Sequence, residues 1–297
     1  MSAAEPPGAA VRLRLELSYD GTECAGWAVQ PGLRTVAGVL TDALRTLLRH
    51  EVRVVVAGRT DAGVHADGQV AHVDADPAAL AARAPRDRAG DGDPSAAGRL
   101  GMLRRLAGLL PADVRVRAVT AAPVGFDARF AALRRHYRYR IGTAEWGVAP
   151  ADRHFVLARR RRLDIEAMTL AARALIGLHD FHAFCRPREG ATTIRDLQAL
   201  TVVRAGDEVH IDVTADAFCH SMVRALVGSL LVVGELRMPP ERPGRLLAAR
   251  ERTSAFPVVP PHGLTLRRVD YPAAADLAGR SAQTRAVREL GPGGPSD

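Results

Sequence analysis

Between Val11 and Tyr19 apolar and polar residues alternate: Val11, Leu13, Leu15, Leu17 and Tyr19 fall on one side, Arg12, Arg14 and Glu16 on the other. A period of two is the pattern of a β-strand with one buried and one wet face. It recurs in Val114 to Val119, Arg134 to Ile141, Val209 to Ala215 and Leu264 to Tyr271. Strands with a polar face argue against a doubly wound parallel sheet, whose strands are covered on both sides, and predict an antiparallel one.

Helical stripes lie between these strands. Thr35 is placed to cap a helix whose Val36, Val39, Leu40, Ala43, Leu44, Leu47 and Leu48 share one face. Asp164 is placed to cap a second, with Met168, Ala171, Ala172, Leu175 and Ile176 inward and Gly177 as its stop. A third runs from about His220 to Val233, closed by Gly234. Mixed elements without a strict βαβ rhythm predict an α+β fold: two similar halves around a central antiparallel sheet flanked by helices.

The 297 residues exceed one ordinary domain and suggest two halves sharing a cleft. The expected division is a disordered tail over 1–10, a first half over 11–110, a second over 111–272 and a disordered tail over 273–297. Within the first half, 83–98 is rich in Ala, Arg, Asp, Gly and Pro without apolar period, and reads as a mobile insertion.

Composition narrows the chemistry. All 41 basic residues are arginine, so a Schiff-base lysine, pyridoxal phosphate attachment and a Walker-type lysine are excluded. A formal charge of +8 favours a polyanionic partner, nucleic acid first. Cys24, Cys185 and Cys219 are far apart with no CxxC pair, which fits neither a zinc knuckle nor a disulfide framework and suits a reducing compartment. Without a long apolar run or a basic-then-apolar start, the expected location is the cytoplasm, with no membrane.

The densest polar segment is Gly58-Arg59-Thr60-Asp61-Ala62-Gly63-Val64-His65-Ala66, between an apolar strand over 52–57 and another over 69–73. Its glycines permit close approach of backbone and ligand and place Arg59, Asp61 and His65 at a strand end. From the residues alone, a long turn with Asp61 as an Asx residue explains it as well as a carboxylate base or nucleophile kept ionised by arginine does.

This segment resembles the signature of the TruA family of transfer RNA pseudouridine synthases, and the resemblance runs from Leu13 to Pro272. In order stand Tyr19-Asp20-Gly21-Thr22 with Gly26-Trp27, Thr35-Val36, Gly101-Met102 with Leu110-Pro111-Ala112-Asp113-Val114, and Phe126-Asp127-Ala128-Arg129-Phe130. Arg135-His136-Tyr137-Arg138-Tyr139, Gly177-Leu178-His179-Asp180-Phe181, Ala217-Phe218 with Met222-Val223-Arg224, and Gly263-Leu264-Thr265-Leu266 follow. The resemblance implies the pseudouridine synthase fold and an isomerase that converts uridine to pseudouridine at positions 38, 39 and 40 of the tRNA anticodon stem-loop. It also implies no cofactor or metal, and a homodimer with one tRNA across both subunits. It places Asp61 as the catalytic aspartate, attacking either the sugar anomeric carbon or carbon six of the base. Arg59 is implied to displace the base, Tyr137 to pack on the uracil, and Arg224 to pair with Asp61.

The remaining residues fit less specific roles. Leu264 and Leu266 read as core. Arg134, Arg135, Arg138, Arg140 and the run over 159–162 read as basic surface open to phosphate. His65, His72, His179 and His182 lack metal-ligand helical spacing, and the His179-Asp180-Phe181 stretch reads as packing at a helix end. Cys24, Ala28 and Cys219 depart from the family pattern, which touches the pocket wall rather than the reaction. Two rivals stay in view: an RNA-binding protein or chaperone without chemistry, and a metal-dependent RNA hydrolase built from the histidines.

Overall fold

The structure, a computed structural model, describes residues 10–85, 94–186, 192–249 and 254–285. Its elements are β1 (Val11–Tyr19), α1 (Val36–Leu48), β2 (Val55–Val56), β3 (His65–Ala75), α2 (Pro77–Ala81), α3 (Pro94–Leu109), β4 (Val114–Ala121) and β5 (Arg134–Gly142). Then come β6 (Leu157–Ala158), α4 (Ile165–Arg173), β7 (Gly177–Asp180), β8 (Ile194–Ala205), β9 (Glu208–Ala215), α5 (Met222–Gly234), α6 (Arg242–Ala249), β10 (Leu264–Asp270) and α7 (Leu277–Arg285).

The sheet runs β4-β1-β3-β10-β5-β9-β8-β7, with β2 on β3 and β6 on β5. The five alternating segments all form strands. The sheet is mixed rather than purely antiparallel, because β10 lies parallel to β3 (Thr265 opposite His65, Leu266 opposite Ala66) and β6 parallel to β5. The β3–β10 pairing is a seam: β10, from the end of the chain, closes the second set of strands against the first. Gly68 makes it possible, since a Cβ there would stand 2.3 Å from the Arg267 carbonyl oxygen.

Helix starts follow the sequence. Gly38 N–H donates to Thr35 Oγ1 at 3.2 Å and Ala167 N–H to Asp164 Oδ1 at 3.0 Å, each satisfying an N-terminal donor. In α1, Leu40 and Leu44 are fully buried, each contributing about 1.5–3 kcal/mol relative to exposure. In α5 every residue is buried except Arg224, as befits a helix apolar all round. That helix touches its neighbours closely: a Cβ on Gly228 would meet the Pro257 carbonyl at 1.8 Å, and one on Gly234 the Met168 sulfur at 2.5 Å.

Several expectations need correction. The strand read over 52–57 is only Val55–Val56, and β3 begins at His65, not residue 69. Residues 94–98 of the expected insertion open α3, where Gly98 and Gly101 sit against the backbones of Leu80 and Arg83; 86–93 lie outside the described residues. The tail expected from 273 forms a turn and then α7, whose Leu277 is buried; 286–297, like 1–9, are outside the described residues. The His179-Asp180-Phe181 stretch ends a strand, where Asp180 Oδ1 accepts from His182 N–H at 3.1 Å and Thr193 Oγ1 at 2.5 Å. Residues 185 and 219 meet: Cys185 and Cys219 are disulfide-bonded, with Cα atoms 5.8 Å apart, because the turn after β7 folds against the loop before α5. Leu264 and Leu266 are buried as expected. Among the described residues, no helix is long and apolar enough to cross a membrane.

Candidate active site

The segment from Gly58 to Val64 bridges β2 and β3, and its backbone is clamped by the first turn after β1. Trp27 N–H donates to the Thr60 carbonyl at 3.0 Å and Gly63 N–H to the Cys24 carbonyl at 3.2 Å. Gly21 and Gly26 allow this contact, since a Cβ on the first would lie 2.1 Å from the Val64 oxygen and on the second 2.9 Å from the Thr60 oxygen. A buried polar cluster fixes the other side. Tyr19 Oη and Thr60 Oγ1 are 2.8 Å apart, and fully buried Gln69 donates from Nε2 to Tyr19 Oη at 3.2 Å and to the Gly58 carbonyl at 2.8 Å. Such a satisfied network makes one loop conformation much the best.

Asp61 emerges from this platform with its side chain 30% exposed. Arg224 Nη1 donates to Asp61 Oδ2 at 3.5 Å, while Arg224 Nε donates to the Val259 carbonyl at 2.7 Å and is aimed by it. His220 Nε2 lies 3.7 Å from Asp61 Oδ1. The carboxylate is thus flanked by one fixed cation and one imidazole, each from the segment 220–224 and separated from Asp61 by some 160 residues of chain.

Tyr137, on β5, is buried, with its ring edge-on to Phe218 at 5.2 Å between centroids. Burial pushes its phenol well above the usual range, with the nearby Tyr19 adding to the push, so the ring is a neutral surface at ordinary pH. Arg59, within the loop, is exposed. Asp61 and Arg224 are therefore brought into contact, Tyr137 lies under Phe218, two residues from His220, and Arg59 is exposed.

Arg135 corrects an expectation. It is a buried side chain rather than basic surface, donating from Nη1 to the Asp216 carbonyl at 2.5 Å and from Nη2 to the carbonyls of Ala57 at 2.6 Å and Arg129 at 2.9 Å. It ties the strand before the Asp61 loop to the segment leading into Phe218 and His220. Its neighbours on the wet face are paired, not open: Arg138 with Asp212 at 2.7 Å, Arg140 with Glu208 at 2.7 Å, and Arg134 with Asp270 at 3.8 Å. Arg159 is likewise paired, with Glu235 at 2.5 Å.

The histidines do separate things. His65 Nδ1 accepts from Gly21 N–H at 3.0 Å, Nε2 lies 3.1 Å from the His262 carbonyl, and the ring packs on Phe155 at 4.3 Å. Burial lowers its pKa, so it is a neutral support of the loop. His72 Nδ1 accepts from Ala128 N–H at 3.0 Å, and His179 Nε2 lies 3.0 Å from the Ile176 carbonyl. Sequence reasoning missed His220, Gln69 and the burial of Arg135. His220 carried no signal beyond its place four residues before Arg224, whereas Arg135 falls on the same side of the β5 alternation as Tyr137.

A family model described as tRNA pseudouridine synthase matches residues 171–272. The match and the mixed sheet with flanking helices define the class, pseudouridine synthases. A protein named tRNA pseudouridine synthase A from Mycobacterium leprae is 55% identical over 94% of this chain and 96% of its own length. One of the same name from Streptomyces griseus is 51% identical over 98% of each chain, and one from Frankia casuarinae 54% identical over 94% of this chain and 96% of its own. The chain belongs to the TruA family, the tRNA pseudouridine synthase A enzymes, which are isomerases.

Proposed function

We propose that this protein converts uridine to pseudouridine at positions 38, 39 and 40 of the tRNA anticodon arm, with Asp61 as nucleophile and without cofactor or metal. The observation that carries the reading is the Asp61 carboxylate, held at a strand end against Arg224 with His220 3.7 Å away. The isomerisation is redox-neutral. The N1–C1′ bond breaks, a C5–C1′ bond forms, and one proton moves from C5 to N1, so a carboxylate and a base-binding surface supply what it needs.

A stacked uracil must leave the stem to be reached, at a cost of a few kcal/mol. Arg59, exposed in the loop, is suited by its planar fork to fill the vacated place and hold phosphate. Tyr137 offers the uracil a face to pack on, and Arg224 pairs with the carboxylate and aims it. His220 joins them as a second group within reach of Asp61. The proposed assembly is a homodimer, acting in the cytoplasm, with one tRNA across both subunits.

The test is to incubate the purified protein and unmodified tRNA in chelator, without nucleotide, and map pseudouridine by its chemical adduct. Product confined to positions 38–40 is expected. Tight binding without product favours the RNA-binding rival, and cleavage of the tRNA that appears only when the chelator is left out and a divalent metal is added favours the metal-dependent hydrolase. Sedimentation equilibrium reports the dimer independently.

A further inference from the structure

The Cys185–Cys219 pair lies outside the proposed chemistry and yet at its border. Cys219 stands between Phe218, whose ring covers Tyr137 edge-on at 5.2 Å, and His220, which is 3.7 Å from Asp61. Cys185 closes the turn after β7, where Phe181 and Phe184 are buried and Phe184 stacks on Phe256 at 5.1 Å. Arg186 N–H donates to the His220 carbonyl at 3.0 Å, so this firmly packed turn already touches the loop. A bond between the two sulfurs anchors the site loop to the core.

Tyr137 is only 8% exposed with Phe218 in place. A uracil that packs on Tyr137 must move Phe218 aside, and the residue next to Phe218 is the one that is tethered. We propose that Cys185 and Cys219 are an oxidisable dithiol whose disulfide latches Phe218 over Tyr137 and slows entry of the substrate base; this rests on the reading of Tyr137 as the uracil platform.

The chemistry needs an oxidant, for which hydrogen peroxide serves. Cys219 is half-buried and Cys185 buried, so the Cys219 thiolate meets peroxide first, takes one oxygen to become a sulfenic acid, and releases water after protonation. The Cys185 thiol then attacks that sulfur and displaces a second water. Two thiols and one peroxide give one disulfide and two waters, with two electrons passing from sulfur to oxygen. A dithiol reductant reverses the bond by exchange.

The experiment compares full-length protein treated with peroxide and with dithiothreitol. Peptide mapping without reductant is expected to show Cys185 joined to Cys219 and Cys24 free. Single-turnover pseudouridine formation is expected to fall about tenfold on oxidation and to return on reduction, with tRNA affinity unchanged. Cys185→Ser is expected to keep the reduced rate in peroxide; Cys219→Ser is the alternative if the buried serine prevents folding. Absence of the joined peptide, or an oxidised enzyme as fast as the reduced one, overturns the latch. Failure of reduced wild type to form any pseudouridine refutes the functional reading instead. The latch is then judged by amide exchange over 216–221, which slows in the oxidised form if it exists and is unchanged if it does not.

Discussion

Replacing Arg135 by methionine tests how the site is held together. The guanidinium donates to the carbonyls of Ala57, Arg129 and Asp216, and methionine fills much of the volume while removing all three donors. A buried acceptor left without its partner costs about 1–3 kcal/mol. Three such losses come to roughly 3–9 kcal/mol, less about 2 kcal/mol for the apolar side chain gained and for the cation no longer desolvated. The expected loss is therefore about 1–7 kcal/mol, read as a lower urea midpoint at unchanged slope. Because Ala57 precedes the Asp61 loop and Asp216 precedes Phe218 and His220, the folded fraction should also turn over more slowly, by about 100-fold if the two segments drift by about 1 Å. Arg135→Lys, with one ammonium for three acceptors, should fall between. An Arg135→Met protein within about 1 kcal/mol of wild type, turning over at the wild-type rate, would refute the reasoning.

Further outcomes follow from the same geometry. Gly21→Ala forces a Cβ to within 2.1 Å of the Val64 carbonyl oxygen; the loop must shift, at a cost of about 1–3 kcal/mol, and kcat should fall more than tRNA affinity, as a filter-binding assay alongside kinetics will show. Burial holds His65, His72 and His262 below their ordinary pKa. The unfolded chain therefore takes up protons first, so stability is complete above about pH 6.5 and drops as pH falls below it, by up to about 1.4 kcal/mol per unit for each histidine. Asp74 and Glu208, lowered by hydrogen bonds from Arg12 and Arg140, add a second loss below about pH 4. Urea titrations across this range check the sign, and a flat or rising profile on acidification contradicts it. Reducing the Cys185–Cys219 link, which spans a sequence separation of 34, should lower unfolding stability by about 3–4 kcal/mol through the freer unfolded chain.

Much of this was legible in the sequence because it rests on local periodicity. The alternation in β1 or β5 is a property of a few consecutive residues, as are the caps at Thr35 and Asp164. What escaped depends on partners distant in sequence. The parallel β3–β10 seam joins residues about 200 apart, and no local pattern records which strands will be neighbours. Cys185 and Cys219, read as unrelated, meet only because two irregular segments fold together. The arginines of β5 show both sides. Their alternation was visible and sets Arg135 with Tyr137 on the buried side, but charge argued for the surface, and only the three carbonyls that meet it explain why a cation stays inside. His220 was hidden for a further reason, since nothing about a histidine at a helix start says which carboxylate it will face.

In the proposed reaction Asp61 makes the covalent attack, with Arg224 and His220 beside it. The direct measurement is single-turnover pseudouridine formation on unmodified tRNA by wild type, Asp61→Asn and Asp61→Ala, with tRNA affinity and urea stability measured on the same preparations. Both variants are expected to fold and bind tRNA much as wild type does, yet form no pseudouridine. Product formed by either variant at a rate near that of wild type would contradict the attack by Asp61.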